Sequence, residues 1–511
     1  MMTGQRFPTD QAEVAAFLAD PATHGGAAVE RIDTHGSMVF MAGDRVYKLK
    51  RAVRFPYMDY GTPAKRASAC EAEVRLNRRT APLLYLGVAP VLRDADGGLA
   101  LGPVSDTAKG DALGDALDWV VVMARVEQDT LFDKMAERGA LTPDLMRQLA
   151  DAVATFHASA ERFTDRGGRS AMRWVVDGNI AELGERPDLF EPDRLAALAD
   201  HSRTALDRHG ALLDRRRDQG LVRFCHGDLH LRNICLVDGR PTLFDCIEFN
   251  DDIAIIDVLY DQAFLLMDLE HRDLRSLANA LFNRMVERTG DIGGLAPLPL
   301  FLSTRAAVRA KVEASAGKDR PARAYFDLAV KAIDPPGPKL VAVGGLSGSG
   351  KTTVARKLAP AIGPAPGAVV LRSDVLRKEL QGVGETDRLP PDAYTPEVTR
   401  RIYAELVDRA RRVLSAGHGV VVDAVHARPE EREALEDMAR GLGVPFRGVW
   451  LEADPDTLIA RVKTRTGDAS DADEEVVRRQ LTYDIGPLSW PRLIQRNGDD
   501  ADNSKLGQII A

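Results

Sequence analysis

The sequence predicts two domains. Residues 1–334 should form an α+β bilobal domain, with a small β-rich lobe and a larger helical lobe; residues 335–511 should form an α/β domain on a doubly wound parallel sheet. Three observations predict this. At 511 residues the chain is too long for a single core. The segment "AIDPPGPKLVAVGG" sets three prolines and a glycine just before an apolar run, a density that disfavours helix and interior strand and puts the boundary near Pro336. Patterning also differs on the two sides: strand-like runs followed by helical periodicity before it, apolar strands alternating with amphipathic helices after it.

Composition narrows the function classes. With 45% apolar and 28% charged residues the chain reads as globular rather than disordered. A net charge of −8 argues against a protein that coats nucleic acid or an anionic membrane. Cys70, Cys225, Cys235 and Cys246 form no CxxC pair and no zinc-ligand spacing, so buried reduced thiols are expected and no disulfide. The N-terminal "MMTGQRFPTDQAEV" lacks the basic-then-apolar profile of a leader, and no apolar stretch is long enough to span a bilayer, so a cytoplasmic location is expected.

In the first domain, "AAVERIDT", "SMVFMA" and "RVYKLK" read as strands, and "LMRQLADAVATFHASA" and "DVLYDQAFLLMDL" as helices. "LDWVVVMARV" is a run of strand formers before a helical region and is read as the hinge between lobes. The densest chemistry lies in "FCHGDLHLRNICLVDGRPTLFDCIEFND", residues 224–251. Here "DGR" separates two short strand-like runs around an Asp-Gly turn. A three-residue turn pairs Val237 with Pro241 and Asn233 with Asp245; a two-residue turn moves the pairing by one position. Either way Asn233 and Asp245 meet at one end of the hairpin as oxygen ligands for Mg²⁺. Asp228, five residues before Asn233, is close enough to meet a substrate hydroxyl beside the same metal.

A catalytic-loop Asp, an Asn five residues later and a metal-binding Asp on the next hairpin form the pattern of protein-kinase chemistry. The stretches "HGDLHLRN" and "FDCIEF" resemble the aminoglycoside phosphotransferase family of kinase-like enzymes. That resemblance implies Asp228 as catalytic base, Asn233 and Asp245 as metal ligands, and His226 as a support for the loop. It also implies a small-lobe lysine paired with a helix glutamate: Lys48 and Glu73, with Lys50 and Glu71 as near alternatives, because strand residues two apart share a face. The turn "DTHGSM" carries one glycine, Gly36, in place of a glycine-rich loop, as in family members of this type.

In the second domain "KLVAVGG", "AVVLRSD", "GVVVDAV" and "RGVWLEA" read as strands, each followed by a helix. "GLSGSGKT" satisfies the phosphate-binding-loop pattern between a strand and a helix. Its expected nucleotide contacts are Gly345, Ser347, Gly348, Ser349, Gly350, Lys351, Thr352 and Thr353, with Lys351 on the transferred phosphate and the Thr352 hydroxyl on Mg²⁺. Asp374 stands at the carboxyl end of "VVLRSD", with Arg377 one helical turn on; the first could orient or deprotonate an acceptor and the second hold its charge. Capping of the following helix by Ser373 or Asp374 is the compatible alternative. Asp423 ends "GVVVD", where a second carboxylate could support the metal. Arg461 and Arg465 fall at i and i+4 and could close over the phosphates, with a solvated charged face as the competing reading. The acidic run "TGDASDADEE" reads as a mobile loop opening a helix. The loop, the "SDVLR" pattern and the arginines resemble small P-loop kinases such as polynucleotide kinase, gluconate kinase and chloramphenicol phosphotransferase; the resemblance implies Asp374 as base and Arg461 and Arg465 as lid arginines.

Together the two halves resemble bacterial proteins in which an aminoglycoside phosphotransferase-like domain is fused to a P-loop ATP-binding domain. The expectation is a kinase with two ATP–Mg²⁺ sites acting on hydroxyls of small molecules, rather than on nucleic acid or at a membrane. Two other expectations are kept: a single active kinase-like domain regulated by an ATP-sensing P-loop module, and a 5′-hydroxyl polynucleotide kinase in the second domain. Asp251, Asp252, Asp257 and Asp261 could favour a cationic acceptor, against helix capping and solvated charge as the plainer reading.

Overall fold

The computed structural model describes residues 5–6, 11–55, 57–108 and 116–494. Much of the N-terminal run read for a leader lies outside them. Packing divides the chain into two units, Met1–Asp268 with Thr304–Asp327, and Leu269–Ser303 with Leu328–Ala511. The boundary at 334/335 marks where the sequence changes character, whereas packing gathers the earlier segment Leu269–Ser303 into the later unit.

Among the described residues the first unit carries a sheet of six antiparallel strands, β1 (Val29–Asp33), β2 (Ser37–Ala42), β3 (Arg45–Lys50), β4 (Tyr85–Arg93), β5 (Leu99–Leu101) and β6 (Ala116–Ala124), in the order β1-β2-β3-β6-β4-β5. Alternation decides what each face carries. On one face Leu49, Phe40, Val120 and Val122 pack under the helix Gln11–Ala19 with Val14 and Leu18. The other faces helix α1 (Pro63–Asn77), whose Cys70 and Val74 pack with Trp119 and Val121. Thr62 caps α1 by accepting from the Lys65 N–H, and proline occupies its first turn. The stretch expected as a hinge is therefore strand β6, the neighbour of both β3 and β4.

The helical lobe contains Pro143–Ser159, Gly168–Gly184 and Pro192–Asp218, and the predicted helix "DVLYDQAFLLMDL" falls in Val258–His271. Between them lies the hairpin of β7 (Ile234–Val237) and β8 (Arg240–Leu243). Its register pairs Val237 with Arg240, so the turn has two residues, and Asp238 and Gly239 both have positive φ, 50° and 73°. That is the geometry an Asp-Gly pair favours, because its twist matches that of the strands. Of the two registers the shorter holds, and Asn233 accepts from the Phe244 N–H at 3.0 Å rather than facing Asp245.

The second unit is built on a parallel sheet of β9 (Leu340–Gly345), β10 (Val369–Arg372), β11 (Val420–Asp423), β12 (Phe446–Glu452) and β13 (Arg492–Ile494), ordered β10-β11-β9-β12-β13. Strand β9 is central and buried throughout, and Val341 and Val343 share a core with Val354, Leu358, Val421 and Leu451. All four predicted strands are present, with β13 added. Strand β10 is an edge, and a free edge exposes unpaired backbone groups. Here helix Arg275–Thr289 covers it. Asn283 donates through Nδ2 to the Ala368 carbonyl at 3.1 Å and accepts the Val370 N–H at 2.7 Å, and Asn279 also donates to Ala368 O. His418 adds a contact to Leu295 O at 3.1 Å.

The four cysteines are buried free thiols. Among the described residues no helix is long and apolar enough to cross a membrane. If Asn283 seals the β10 edge, Asn283→Ala should cost about 1–3 kcal/mol by leaving the Val370 N–H unpaired. Hydrogen exchange of peptides spanning 369–372 reads this directly; unchanged protection would contradict it.

Candidate active sites

The first site begins with Glu73 on α1, fully buried between two lysines of β3. Lys48 Nζ lies 2.8 Å from Glu73 Oε1 and 2.5 Å from Asp245 Oδ1. Lys50 Nζ pairs with Glu73 Oε2 and with Glu248, which also accepts from Tyr60 Oη at 2.6 Å. The two lysines left open by the sequence thus divide the work, with Lys48 reaching Asp245 and Lys50 sealed beneath. Burial lowers the pKa of both, but the adjacent carboxylates outweigh it and hold both ammoniums charged. Glu71 points elsewhere and accepts from the Ala108 N–H.

The loop 225–230 carries Asp228, half-buried. Asn233 donates through Nδ2 to both the Asp228 carbonyl and its Oδ2, each at 3.0 Å, and His230 Nε2 stands 3.3 Å from the same Oδ2. With its amide hydrogens on Asp228, Asn233 has Oδ1 to offer a cation. Burial alone would raise the Asp228 pKa; His230 and Arg309 reverse this and hold the carboxylate well below its ordinary range. Asp245 sits at φ 60°, a left-handed conformation that Asp tolerates better than most residues. His226, fully buried, contacts the Phe244 carbonyl at 2.9 Å and joins the loop to the segment before Asp245.

The four aspartates considered for a cationic acceptor have other partners. Asp261 accepts the His226 and Gly227 N–H groups at 3.1 and 2.9 Å and lies 2.9 Å from His157 Nε2, so it fixes the backbone before Asp228. Asp257 receives a bidentate, buried Arg216 at 2.7 and 2.8 Å. Asp251 and Asp252 stand in the first turn of a short helix, with Arg166 at 3.9 and 3.5 Å. The plainer reading, helix-end and solvated charge, fits Asp251 and Asp252, whereas Asp257 and Asp261 are buried and bound to protein partners. Gly36 lies in the β1–β2 turn, closed by the Thr34 N–H on Ser37 O.

The second site follows β9. Gly345, Gly348 and Gly350 have φ of 137°, 83° and 90°, and a Cβ at Gly345 or Gly348 would stand 2.5 Å from a backbone carbonyl, so only glycine fits this loop. Helix α2 (Lys351–Leu358) starts at its end. Lys351 donates to Leu346 O at 2.9 Å; burial lowers its pKa, and Asp423 and Asp374 oppose the shift. Thr352 Oγ1 donates to Asp423 Oδ2 at 2.6 Å. Ser347 donates its N–H to Gln480 Oε1 at 2.8 Å, Ser349 Oγ is buried without a partner, and Thr353 is exposed. An orphaned hydroxyl and a folded-back lysine beside a helix N-terminus are groups a phosphate chain would satisfy. The Thr352 hydroxyl with Asp423 provides oxygen donors suited to Mg²⁺.

Asp374 is half-buried in the first turn of α3 (Ser373–Leu380), with Arg372 at the N-cap, so neither Ser373 nor Asp374 caps the helix. The field of Asp374 reaches Lys351, Arg372, Tyr394 and Tyr403. Two of the Arg377 nitrogens have protein partners, Ala393 O and Thr399 Oγ1, and its buried Nε has none. Arg377 is buried and lies 4.9 Å from the Tyr394 ring, whose hydroxyl donates to Asp471. Arg461 lies on α4 (Pro455–Thr464) and donates to Gly348 O at 3.3 Å. Arg465 lies past the end of that helix, so the shared face is lost; it donates to Ser470 O and Ala472 O, while its charge still reaches Lys351. The acidic loop is tied down: Asp468 to Arg372 at 3.0 Å, Asp471 to Lys378 at 2.7 Å, and Asp473, which caps α5 (Glu474–Gln480), to Arg388 at 3.2 Å.

Sequence reasoning missed Glu248, Tyr60, His230, Arg372 and His426. His426 is buried at φ 51° with both ring nitrogens unpartnered, its ring packed edge-on against Tyr403 and Trp490. Burial, with Lys351 and Arg432 nearby, pushes its pKa down to about 3, so it is neutral. Nothing in its sequence setting marks it except that it follows the strand ending at Asp423.

The division between the lysines has a measurable consequence. Lys50→Met strands Glu248 and one Glu73 oxygen without charge partners and should destabilise the fold by about 3–5 kcal/mol. Lys48→Met leaves Glu73 with Lys50 and Asp245 with water, so it should lower turnover with a much smaller loss of stability. Urea unfolding of both variants checks this; equal losses would contradict the assignment.

The model of the phosphotransferase enzyme family matches residues 29–297, and that of an AAA domain matches residues 340–483. An uncharacterized protein of Mycobacterium tuberculosis is 31% identical over 474 residues, covering 89% of this chain and 90% of that one. An adenylyl-sulfate kinase of Myxococcus xanthus is 30% identical over 118 residues, 23% of this chain and 59% of that protein. Among solved structures, a choline/ethanolamine kinase family protein from Mesorhizobium loti is similar over 63% of this chain and 98% of its own, at 18% identity and a TM-score of 0.33. The APS kinase CysC of Mycobacterium tuberculosis, in complex with AMPPNP and APS, covers 34% of this chain and 97% of its own, at 22% identity and a TM-score of 0.25. With a family match over more than half its length and a relative aligned nearly end to end, the chain belongs to the phosphotransferase enzyme family and carries a P-loop kinase domain after its kinase-like domain.

Proposed function

We propose that the chain is an ATP-dependent kinase with two sites, each transferring the γ-phosphoryl group of ATP to a hydroxyl of a small molecule. The observation that supports it most is the joint placement of Lys48, Glu73 and Asp245 by direct ion pairs, with Asp228 and Asn233 bonded to each other on the adjoining loop. In the first site Asp228 accepts the proton of the acceptor hydroxyl as its oxygen bonds to phosphorus and ADP leaves. A carboxylate held ionised is the state that step needs. Lys48 holds the phosphates, and Asn233 Oδ1 and Asp245 are the ligands for Mg²⁺. When bound, the ion neutralises charge developing between the β- and γ-phosphates.

In the second site the 345–352 loop and the α2 N-terminus hold the phosphates, with Lys351 turning from Leu346 O to the transferred group. Thr352 and Asp423 take the Mg²⁺ side. Asp374 orients and deprotonates the acceptor; Arg377 lies against the Tyr394 ring, and Arg461 closes from the loop side. Regulation by nucleotide sensing is the second reading of this domain. It is favoured by the Ser347 N–H being taken by Gln480.

Labelled ATP, a metabolite pool and the intact chain test the proposal. Asp228→Asn should reduce one set of labelled products by about 10²–10⁴-fold and Asp374→Asn another. Products unchanged in the Asp228→Asn chain would overturn the first site. Products unchanged by Asp374→Asn but altered by Lys351→Ala would leave the sensing module as the reading of the second.

A further inference from the structure

The segment that carries Asp245 is gripped from the small lobe at three successive points, beyond the contact with Lys48. The Asp245 N–H donates to Tyr85 Oη at 3.1 Å, and the Cys246 N–H donates to Asn77 Oδ1 at 2.9 Å. Asn77 is itself oriented by donating from Nδ2 to Glu73 O, one turn back on α1, at 2.9 Å. Glu248, 5% exposed, is held by Lys50, 2% exposed, and by Tyr60 Oη at 2.6 Å. Lys50 also lies 5.4 Å from the centroid of the Tyr60 ring. One buried glutamate, Glu73, therefore serves two lysines, and the second lysine joins a second carboxylate three residues past Asp245.

Asp245 occupies a left-handed backbone conformation with a side chain 41% exposed, so its own packing does not fix it. Lys48 holds its carboxylate, and the flanking contacts hold its backbone. Two side-chain acceptors meet the two consecutive N–H groups of the turn, and the ion pair at Glu248 anchors its far end. Formal charges match a cation site: two ammoniums against the carboxylates of Glu73, Glu248 and Asp245 leave one negative charge.

We propose that Lys50, Glu248, Asn77 and Tyr85 are positioning residues that hold Asp245 at the geometry its metal ion requires. This rests on the reading of Asp245 as a metal ligand in the first site. None of the four touches the reacting atoms; they act through Asp245, as outer partners orient a ligand at other metal sites.

The test is Mn²⁺ binding, read by electron paramagnetic resonance with a non-hydrolysable ATP analogue, in the full chain carrying Lys351→Ala and Thr352→Ala to silence the second site. Against that parent, Glu248→Gln keeps the shape and removes the charge, and Tyr85→Phe removes only the hydroxyl that accepts from Asp245. Both should weaken Mn²⁺ binding roughly ten- to a hundred-fold, with the analogue's metal-free binding unchanged. Should Glu248→Gln fail to fold, as judged by circular dichroism, Tyr85→Phe decides. Folded variants that bind Mn²⁺ as tightly as the parent, while Asp245→Asn loses it, would overturn the proposal and leave the site assignment standing. Parental binding in Asp245→Asn as well would overturn that assignment.

Discussion

The first unit depends on one carboxylate that never meets water. Glu73 is fully buried, and isolated in that position its charge would be prohibitive. Its two oxygens each receive a lysine from β3, possible only because residues two apart on a strand share a face. This requires α1 to pack against that face, which the Cys70–Val74 side of the helix does against Trp119 and Val121. It also leaves each lysine with charge to share: Lys48 turns to Asp245 and Lys50 to Glu248. Small-lobe packing, the register of β3 and the position of the Asp245 segment are thus one constraint. Asp261 does the complementary work on the other side, collecting two backbone N–H groups so that the loop delivers Asp228 at a fixed height.

The second unit reaches a similar end by different means. Its 345–350 loop is made by backbone that only glycine permits, and its charges are arranged around Asp423, which accepts from Thr352 and faces Arg372 at 3.4 Å. Arg372 carries the link outward to Asp468 in the acidic loop, so the centre of the sheet and the covering loop share one cation. Removing one partner of a buried pair of this kind leaves an uncompensated charge and is strongly destabilising.

Local features were legible in the sequence because they follow local rules. The strand-and-glycine setting of the phosphate loop, the alternation of β3 and the Asp-Gly hairpin were all read from neighbouring residues. Even the hairpin came down to two registers, and the positive φ available to Asp238 and Gly239 chose between them. What the sequence hid was long-range. Glu248 is one acid among 76 acidic residues until Lys50, 198 positions away, is placed beside it. Asn279 and Asn283 look like ordinary helix-surface amides, yet they seal a strand edge of the later unit, which a boundary drawn at the prolines could not register. Arg465 was counted onto a helix that ends one residue earlier, and the Arg377 bond to the backbone at Ala393 lies sixteen positions away in sequence. The acidic loop read as mobile because its partners, Arg372, Lys378 and Arg388, come from another part of the chain.

Two independent nucleotide sites in one chain is the central claim, and binding stoichiometry tests it most directly. Isothermal titration of the intact protein with a non-hydrolysable ATP analogue and Mg²⁺ should give two nucleotides bound per chain, with one retained when Lys351 is replaced by alanine. A single nucleotide per wild-type chain, lost entirely in that variant, would contradict it.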